Sequence, residues 1–151
     1  MSGRPQTTLV NGAANDTVAC TDRGLLYGDG VFETLAVQHG SCRYWTRHLQ
    51  RLHAGCERLG ITAIDPDVLA AEAGRLVADT VQGVLKIIIT RGSGGRGYRV
   101  PEQAASTRIL QLHPWPDPDP SCAVTGVATR LCNIRLGHNP ALAGIKHLNR
   151  L

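Results

Sequence analysis

Apolar and polar positions alternate with a changing period along the chain, and each change marks an element. Thr7 to Val10 followed by Asn11-Gly12 predicts a strand running into a hairpin, because Asn-Gly supplies the positive φ angles of a type I′ turn. Val31 to Gln38 is rich in strand formers, His39-Gly40 can turn, and Ser41 to Trp45 can return, which predicts a short antiparallel meander. The period then becomes helical. Leu49, Leu52, Cys56 and Leu59 form a stripe that should face the sheet, with Thr46 as N-cap and Gly60 as the stop. Asp65-Pro66 opens a second helix, which Val68, Leu69, Leu76 and Val77 carry to about Thr80. Val84 to Thr90, with three consecutive Ile, reads as a buried strand, and Thr107 to Leu112 as another.

Prolines at 114, 116, 118 and 120 block both helix and central strand, so this stretch reads as a linker. Ala123 to Thr129 is expected to begin a further strand. The organisation that follows is α+β. Residues 1–113 form a two-layer unit, a twisted antiparallel sheet with two helices on one face; 114–120 link it to 121–151, the incomplete start of a second domain.

Composition narrows the function. The chain has 151 residues, 42% hydrophobic and 19% charged, which suits a soluble globular protein with a real core. Its formal charge of +4 rests on 14 Arg and 2 Lys dispersed along the chain, a pattern that favours small anionic ligands over nucleic acid. Cys20, Cys42, Cys56, Cys122 and Cys132 lack both C-x-x-C spacing and zinc-ligand pairing with His, so no metal is expected and the thiols read as reduced, in a cytoplasmic protein. The stretch from Val84 to Ile89 is interrupted by Lys86 and too short to cross a bilayer. Met1 to Gly12 has no apolar leader core, so neither export nor a membrane span is expected.

Arg47 and Arg51 lie four apart on the first helix, with Arg58 seven further on. A bound anion would relieve their repulsion, although a solvated basic face has the same spacing. Arg91 to Gly97 is a glycine-rich loop whose spacing fits neither nucleotide-binding glycine motif. An RNA-binding segment of this type usually sits in low-complexity surroundings, whereas this loop follows a buried strand. A rigid strand presenting Arg96 at the tip of a mobile loop suits carboxylate recognition, because guanidinium offers a bidentate fork. Lys146 lies between Gly144-Ile145 and Leu148, a setting that could lower its pKa and make it a Schiff-base nucleophile, although on spacing alone a lone lysine is far more often an exposed surface residue. Lys86 reads as a structural lysine on a strand surface.

Three stretches together point further: Asp22-Arg23-Gly24 with Tyr27-Gly28-Asp29-Gly30-Val31-Phe32-Glu33-Thr34; His48-Leu49-Gln50-Arg51-Leu52; and Leu142-Ala143-Gly144-Ile145-Lys146-His147-Leu148-Asn149-Arg150-Leu151. Their order and separation resemble the fold-type IV pyridoxal-phosphate (PLP) enzymes, which include branched-chain and D-amino acid aminotransferases and aminodeoxychorismate lyases. The resemblance covers nearly the whole chain. Arg91 to Tyr98 and the final stretch look most like the lyases, while the first stretch is specific only to the superfamily. The resemblance implies that Lys146 forms the Schiff base with PLP and that Arg51 contacts its phosphate. It implies that Arg96 and Tyr98 hold a substrate carboxylate, often across a homodimer interface, and that Phe32 and Thr34 lie near the cofactor while Glu33 points away. The implied reaction converts 4-amino-4-deoxychorismate to 4-aminobenzoate and pyruvate, toward folate.

The family pattern continues for a comparable length beyond Leu151, into the rest of a pseudo-barrel domain with the acidic partner of the pyridine nitrogen and more phosphate donors. The chain resembles the N-terminal half, and by itself is expected to be inactive. Two rivals remain. One is an aminotransferase of the same family, which would pass the amino group to a 2-oxo acid. The other is a non-catalytic anion- or RNA-binding domain, which would need a continuous basic patch that this sequence lacks.

Overall fold

The computed structural model describes residues 7–62, 64–102, 104–117, 119–135 and 137–149. Met1 to Gln6, Pro118 of the expected linker, and Arg150 and Leu151 of the final motif lie outside them. One six-stranded antiparallel sheet has the order β2-β1-β6-β5-β3-β4. Its strands are β1 (Thr7–Val10), β2 (Ala13–Ala14), β3 (Gly30–Gln38), β4 (Ser41–Cys42), β5 (Gln82–Thr90) and β6 (Thr107–Pro114). The helices are α1 (Arg23–Tyr27), α2 (Trp45–Leu59), α3 (Pro66–Val77) and α4 (Cys122–Thr125).

Register explains which side of the sheet is covered. Val31 pairs with Ile89, Glu33 with Ile87, Leu35 with Leu85, and Ile87 in turn with Leu110, so these side chains share one face. On that face Val31, Leu35, Val37, Leu85, Ile87, Ile89, Leu110 and Leu9 are buried beneath Leu49, Leu52 and Cys56 of α2 and Leu69, Ala73 and Val77 of α3. Full burial of one such aliphatic side chain stabilises by roughly 1.5–3 kcal/mol, so this layer holds the fold. The opposite face carries Phe32, Thr34, Ala36, Lys86 and Ile88, none of them fully buried.

The expected two-layer α+β arrangement, with two helices on one face, is what the chain forms. Asn11 and Gly12 take φ of 50° and 84° in the β1–β2 turn, as a type I′ hairpin requires. Asp65 caps α3 through its side chain, which accepts from the Asp67 N–H, and Pro66 follows at the first helical position.

Five expectations need correction. Helix α2 starts at Trp45, and its N-cap is Tyr44 in a left-handed conformation without a side-chain bond; Thr46 is already inside the helix. The return strand β4 therefore ends at Cys42. Helix α3 ends at Val77, short of Thr80. Ala123 to Thr129 forms no strand: residues 122–125 make one helical turn and 126–129 are exposed, with no strand pairing to them among the described residues. Proline spacing also does not stop β6, which runs on to Pro114 opposite Gly83.

Candidate active site

Lys146 is placed by backbone pairing. The Phe32 N–H donates to the Lys146 carbonyl at 2.9 Å, the Leu148 N–H donates to the Gly30 carbonyl at 2.9 Å, and Val31 faces His147 between them. Residues 146–148 thus extend the sheet along the edge of β3 that β4 leaves open. Gly30 makes this docking possible, since a Cβ there would lie 2.5 Å from the Ile89 carbonyl oxygen and 2.7 Å from Leu148 Cδ1. The pairing turns Lys146 to the open face, where its Nζ lies 4.8 Å from the centre of the Phe32 ring. Lys86 Nζ, from the neighbouring strand β5, lies 5.7 Å from the same ring. Both lysines of the chain therefore flank one aromatic side chain. Thr34 is two residues further along this face, exposed and opposite Lys86.

Arg51 comes from the other side. It projects from the exposed flank of α2, and its Nε and Nη2 each donate at 2.6 Å to the two oxygens of Glu33. His48, one helical turn earlier, meets Glu33 Oε2 through Nδ1 at 2.7 Å. Glu33 is 1% exposed whereas the Arg51 side chain is 51% exposed. Burial pushes the Glu33 carboxyl up, but the hydrogen bonds from Arg51 and His48 and the charges of Arg51 and Lys146 outweigh it and hold it below the usual carboxylate range. The carboxylate is thus a buried anchor that fixes the angle of an outward-facing guanidinium. Arg51 Nη1 makes no hydrogen bond among the described residues. Tyr44, Arg47, His48 and Arg51 line a shallow cavity of about 250 Å³.

A second arginine cluster lies at the start of the motif. Asp29 accepts from Arg23 Nε at 2.8 Å and from Arg91 Nε at 2.7 Å, and Arg91 also donates to the Leu59 and Gly60 carbonyls at the end of α2. Asp22 caps α1 through the Gly24 N–H and accepts from the Thr90 hydroxyl at 2.9 Å. These bonds pin the beginning of the glycine-rich loop, so the segment that reads as mobile in sequence is fastened at Gly92 and Gly94 to Arg23 and Thr21. Gly92 adopts φ of +88°, and a Cβ there would collide with the Ala105 carbonyl oxygen. Beyond this anchor Arg96 is exposed, and Tyr98 is 83% exposed with its ring 5.3 Å from that of Tyr27.

Lys146, Phe32 and Arg51 are therefore brought to one edge of the sheet. Tyr98 sits with the separate Arg23 cluster and Arg96 is exposed just before it, and among the described residues no hydrogen bond, ion pair or ring contact joins either to Lys146. Two residues escape sequence reasoning as site builders. Glu33 does point away from Phe32 and Thr34, yet it holds Arg51, and His48 completes that contact. The signal was present in the alternation of β3: a carboxylate at a position whose neighbours Val31 and Leu35 are apolar calls for a cation from the helix above.

Residues 30–151 match the amino-transferase class IV family model. The chain is 34% identical over 143 residues to aminodeoxychorismate lyase of Vibrio harveyi, covering 94% of this chain and 52% of that protein. It superimposes with a TM-score of 0.86 on the crystal structure of 4-amino-4-deoxychorismate lyase from Pseudomonas aeruginosa, at 44% identity over 94% of this chain and 52% of that one. A hypothetical aminotransferase from Mycobacterium tuberculosis in its PLP-bound form gives a TM-score of 0.61 at 27% identity, covering 73% of this chain and 40% of that one. The chain spans about half the length of the lyases it matches. Through the family match and the shared fold, the chain belongs to the class IV aminotransferase family, the fold-type IV enzymes that work with pyridoxal phosphate.

Proposed function

We propose that the protein is a PLP-dependent aminodeoxychorismate lyase, converting 4-amino-4-deoxychorismate to 4-aminobenzoate and pyruvate in folate biosynthesis. The observation that carries this reading is the backbone docking of Lys146 beside Phe32, at the edge where Glu33 holds Arg51 outward. The residues fit the cofactor. Lys146 offers an amine for its aldehyde, Phe32 an aromatic wall, and Arg51 unused N–H donors for its phosphate, with Arg47 adding positive charge to the same cavity. Bound PLP supplies an electron sink for charge developing at the amine-bearing carbon.

The chain's own residues do the rest. Lys146 Nζ takes the proton from the amine-bearing ring carbon. The bond from the ring to the enolpyruvyl oxygen breaks, the ring becomes aromatic, and Lys146 as an ammonium returns a proton to the departing fragment, which becomes pyruvate. Arg96 and Tyr98, presented on a fastened loop, take the substrate carboxylates, from the neighbouring protomer of a homodimer. Leu25, Leu26 and Tyr98 are exposed, and Tyr98 stands against Tyr27, the residue after Leu26, which supports such an interface. Five free thiols, with those of Cys42 and Cys56 pushed up to about 11 by burial, support a cytoplasmic setting. Among the described residues no helix is long and apolar enough to cross a membrane.

Residues 1–113 serve as the substrate-loop domain, 114–120 as linker, and 121–151 as the beginning of the cofactor domain. On this reading residues 1–151 alone lack activity. The test is a product assay on the PLP-loaded whole protein: 4-aminobenzoate and pyruvate should appear in equal amounts without added 2-oxo acid. Amino transfer to a 2-oxo acid, with no 4-aminobenzoate released, would replace the lyase with the aminotransferase.

A further inference from the structure

Arg23 and Arg91 share the Asp29 carboxylate and are buried to the same degree, with side chains 5% and 8% exposed. Their remaining donors go to different places. Arg91 holds the Leu59 and Gly60 carbonyls, the end of α2. Arg23 gathers three consecutive carbonyls of the glycine-rich loop: Nη1 donates to Gly97 at 3.3 Å and to Arg99 at 3.4 Å, and Nη2 to Tyr98 at 3.3 Å. Its guanidinium carbon also lies 4.9 Å from the centre of the Tyr27 ring, and Tyr27 in turn stands against Tyr98.

We propose that Arg23 is a positioning residue for substrate: by drawing the backbone of residues 97–99 onto one guanidinium, with Tyr27 as a backstop, it turns the side chains of Tyr98 and Arg96 outward as a preformed carboxylate clamp. The idea rests on the reading of Arg96 and Tyr98 as substrate-binding residues. The physical basis is that fastening the carbonyls of residues 97–99 fixes the backbone from which Tyr98, and Arg96 just before it, project. A loop ordered before binding also loses less conformational freedom when the ligand arrives. A planar fork with five donors can serve three carbonyls and a carboxylate together, whereas an ammonium on one flexible stem cannot.

Arg23→Lys therefore separates positioning from charge balance, because it keeps a cation beside Asp29 and loses the fork. Arg91→Lys is the matched control. In the holoenzyme, trypsin cleavage after Arg96 and Arg99 should accelerate about tenfold in Arg23→Lys and stay unchanged in Arg91→Lys, the loss of two to three modest hydrogen bonds. KM should rise about tenfold while kcat changes by less than about threefold, since the clamp acts on binding and Lys146 is untouched. Should Arg23→Lys not fold, Tyr27→Leu removes the ring behind Tyr98 and leaves the Asp29 cluster intact; it should raise KM and loop cleavage about threefold. Unchanged cleavage and KM in the variants that fold would overturn the proposal and leave Arg23 as a buried charge partner. A holoenzyme without lyase activity, in which Arg23→Lys still loosens the loop, would sink the proposed function and leave the loop-positioning role standing.

Discussion

Two arginine–carboxylate clusters stand at opposite ends of the N-terminal half of β3, and they differ in what the arginines have left over. Around Asp29, Arg23 and Arg91 are buried, and each uses donors on all three guanidinium nitrogens within the protein. Around Glu33, Arg51 spends only Nε and Nη2 among the described residues and leaves half of its side chain in solvent. The saturated pair fastens loops and helix ends. The unsaturated one has a donor left over, which the proposed function assigns to the cofactor phosphate.

The largest expected effect comes from removing the saturated cluster's anion. Asp29→Ala leaves two buried guanidiniums without a counter-charge, and should cost about 3–5 kcal/mol in denaturant unfolding. A loss under about 1 kcal/mol would show that solvent reaches these arginines and would erase the contrast. Second is Arg51→Lys, which keeps a cation beside Glu33 but has no outward fork. PLP affinity should fall about tenfold while unfolding shifts by less than about 1 kcal/mol, as read by cofactor titration and melting. Equal PLP affinity in both proteins would move the phosphate contact elsewhere.

The smallest effect is a pH dependence common to both clusters. Burial raises the Asp29 carboxyl, but the hydrogen bonds and charges of Arg91 and Arg23 outweigh it, so it too lies below its usual range. For both acids the folded pKa is depressed from ordinary values of 3.8 and 4.5. Their contribution is thus present above those values and is lost as pH falls through the lower folded ones. Stability should decline below about pH 4, and Glu33→Gln should flatten part of that decline in acid-unfolding curves.

Much of the fold was legible because one apolar face is buried along whole elements. The strand periods of β3 and β5 and the Leu49–Leu52–Cys56 stripe survive into the structure with boundaries shifted by a few residues. Helix α1 was not legible: it is five residues long, and Leu25 and Leu26 are exposed, so no apolar period marks it. Ala123 to Thr129 misled for a related reason, since strand propensity without a partner strand to bond decides little. For the site, the readings of Lys146 and Arg51 rest on family resemblance, not spacing. The contacts that position them could not be read, because Glu33 meets Arg51 across 18 residues and Arg23 meets Tyr98 across 75, separations set by the sheet. Even the repulsion between Arg47 and Arg51 has an answer inside the protein, in Glu33.

Lys146, docked on β3, is the residue proposed to hold the cofactor. The most direct measurement is borohydride reduction of the PLP-loaded whole protein followed by peptide mass spectrometry. A reduced pyridoxyl adduct on Lys146, absent in a Lys146→Ala variant that still folds, is the expected result. An adduct on Lys86, which flanks the same Phe32 ring, with Lys146 unmodified, would contradict it.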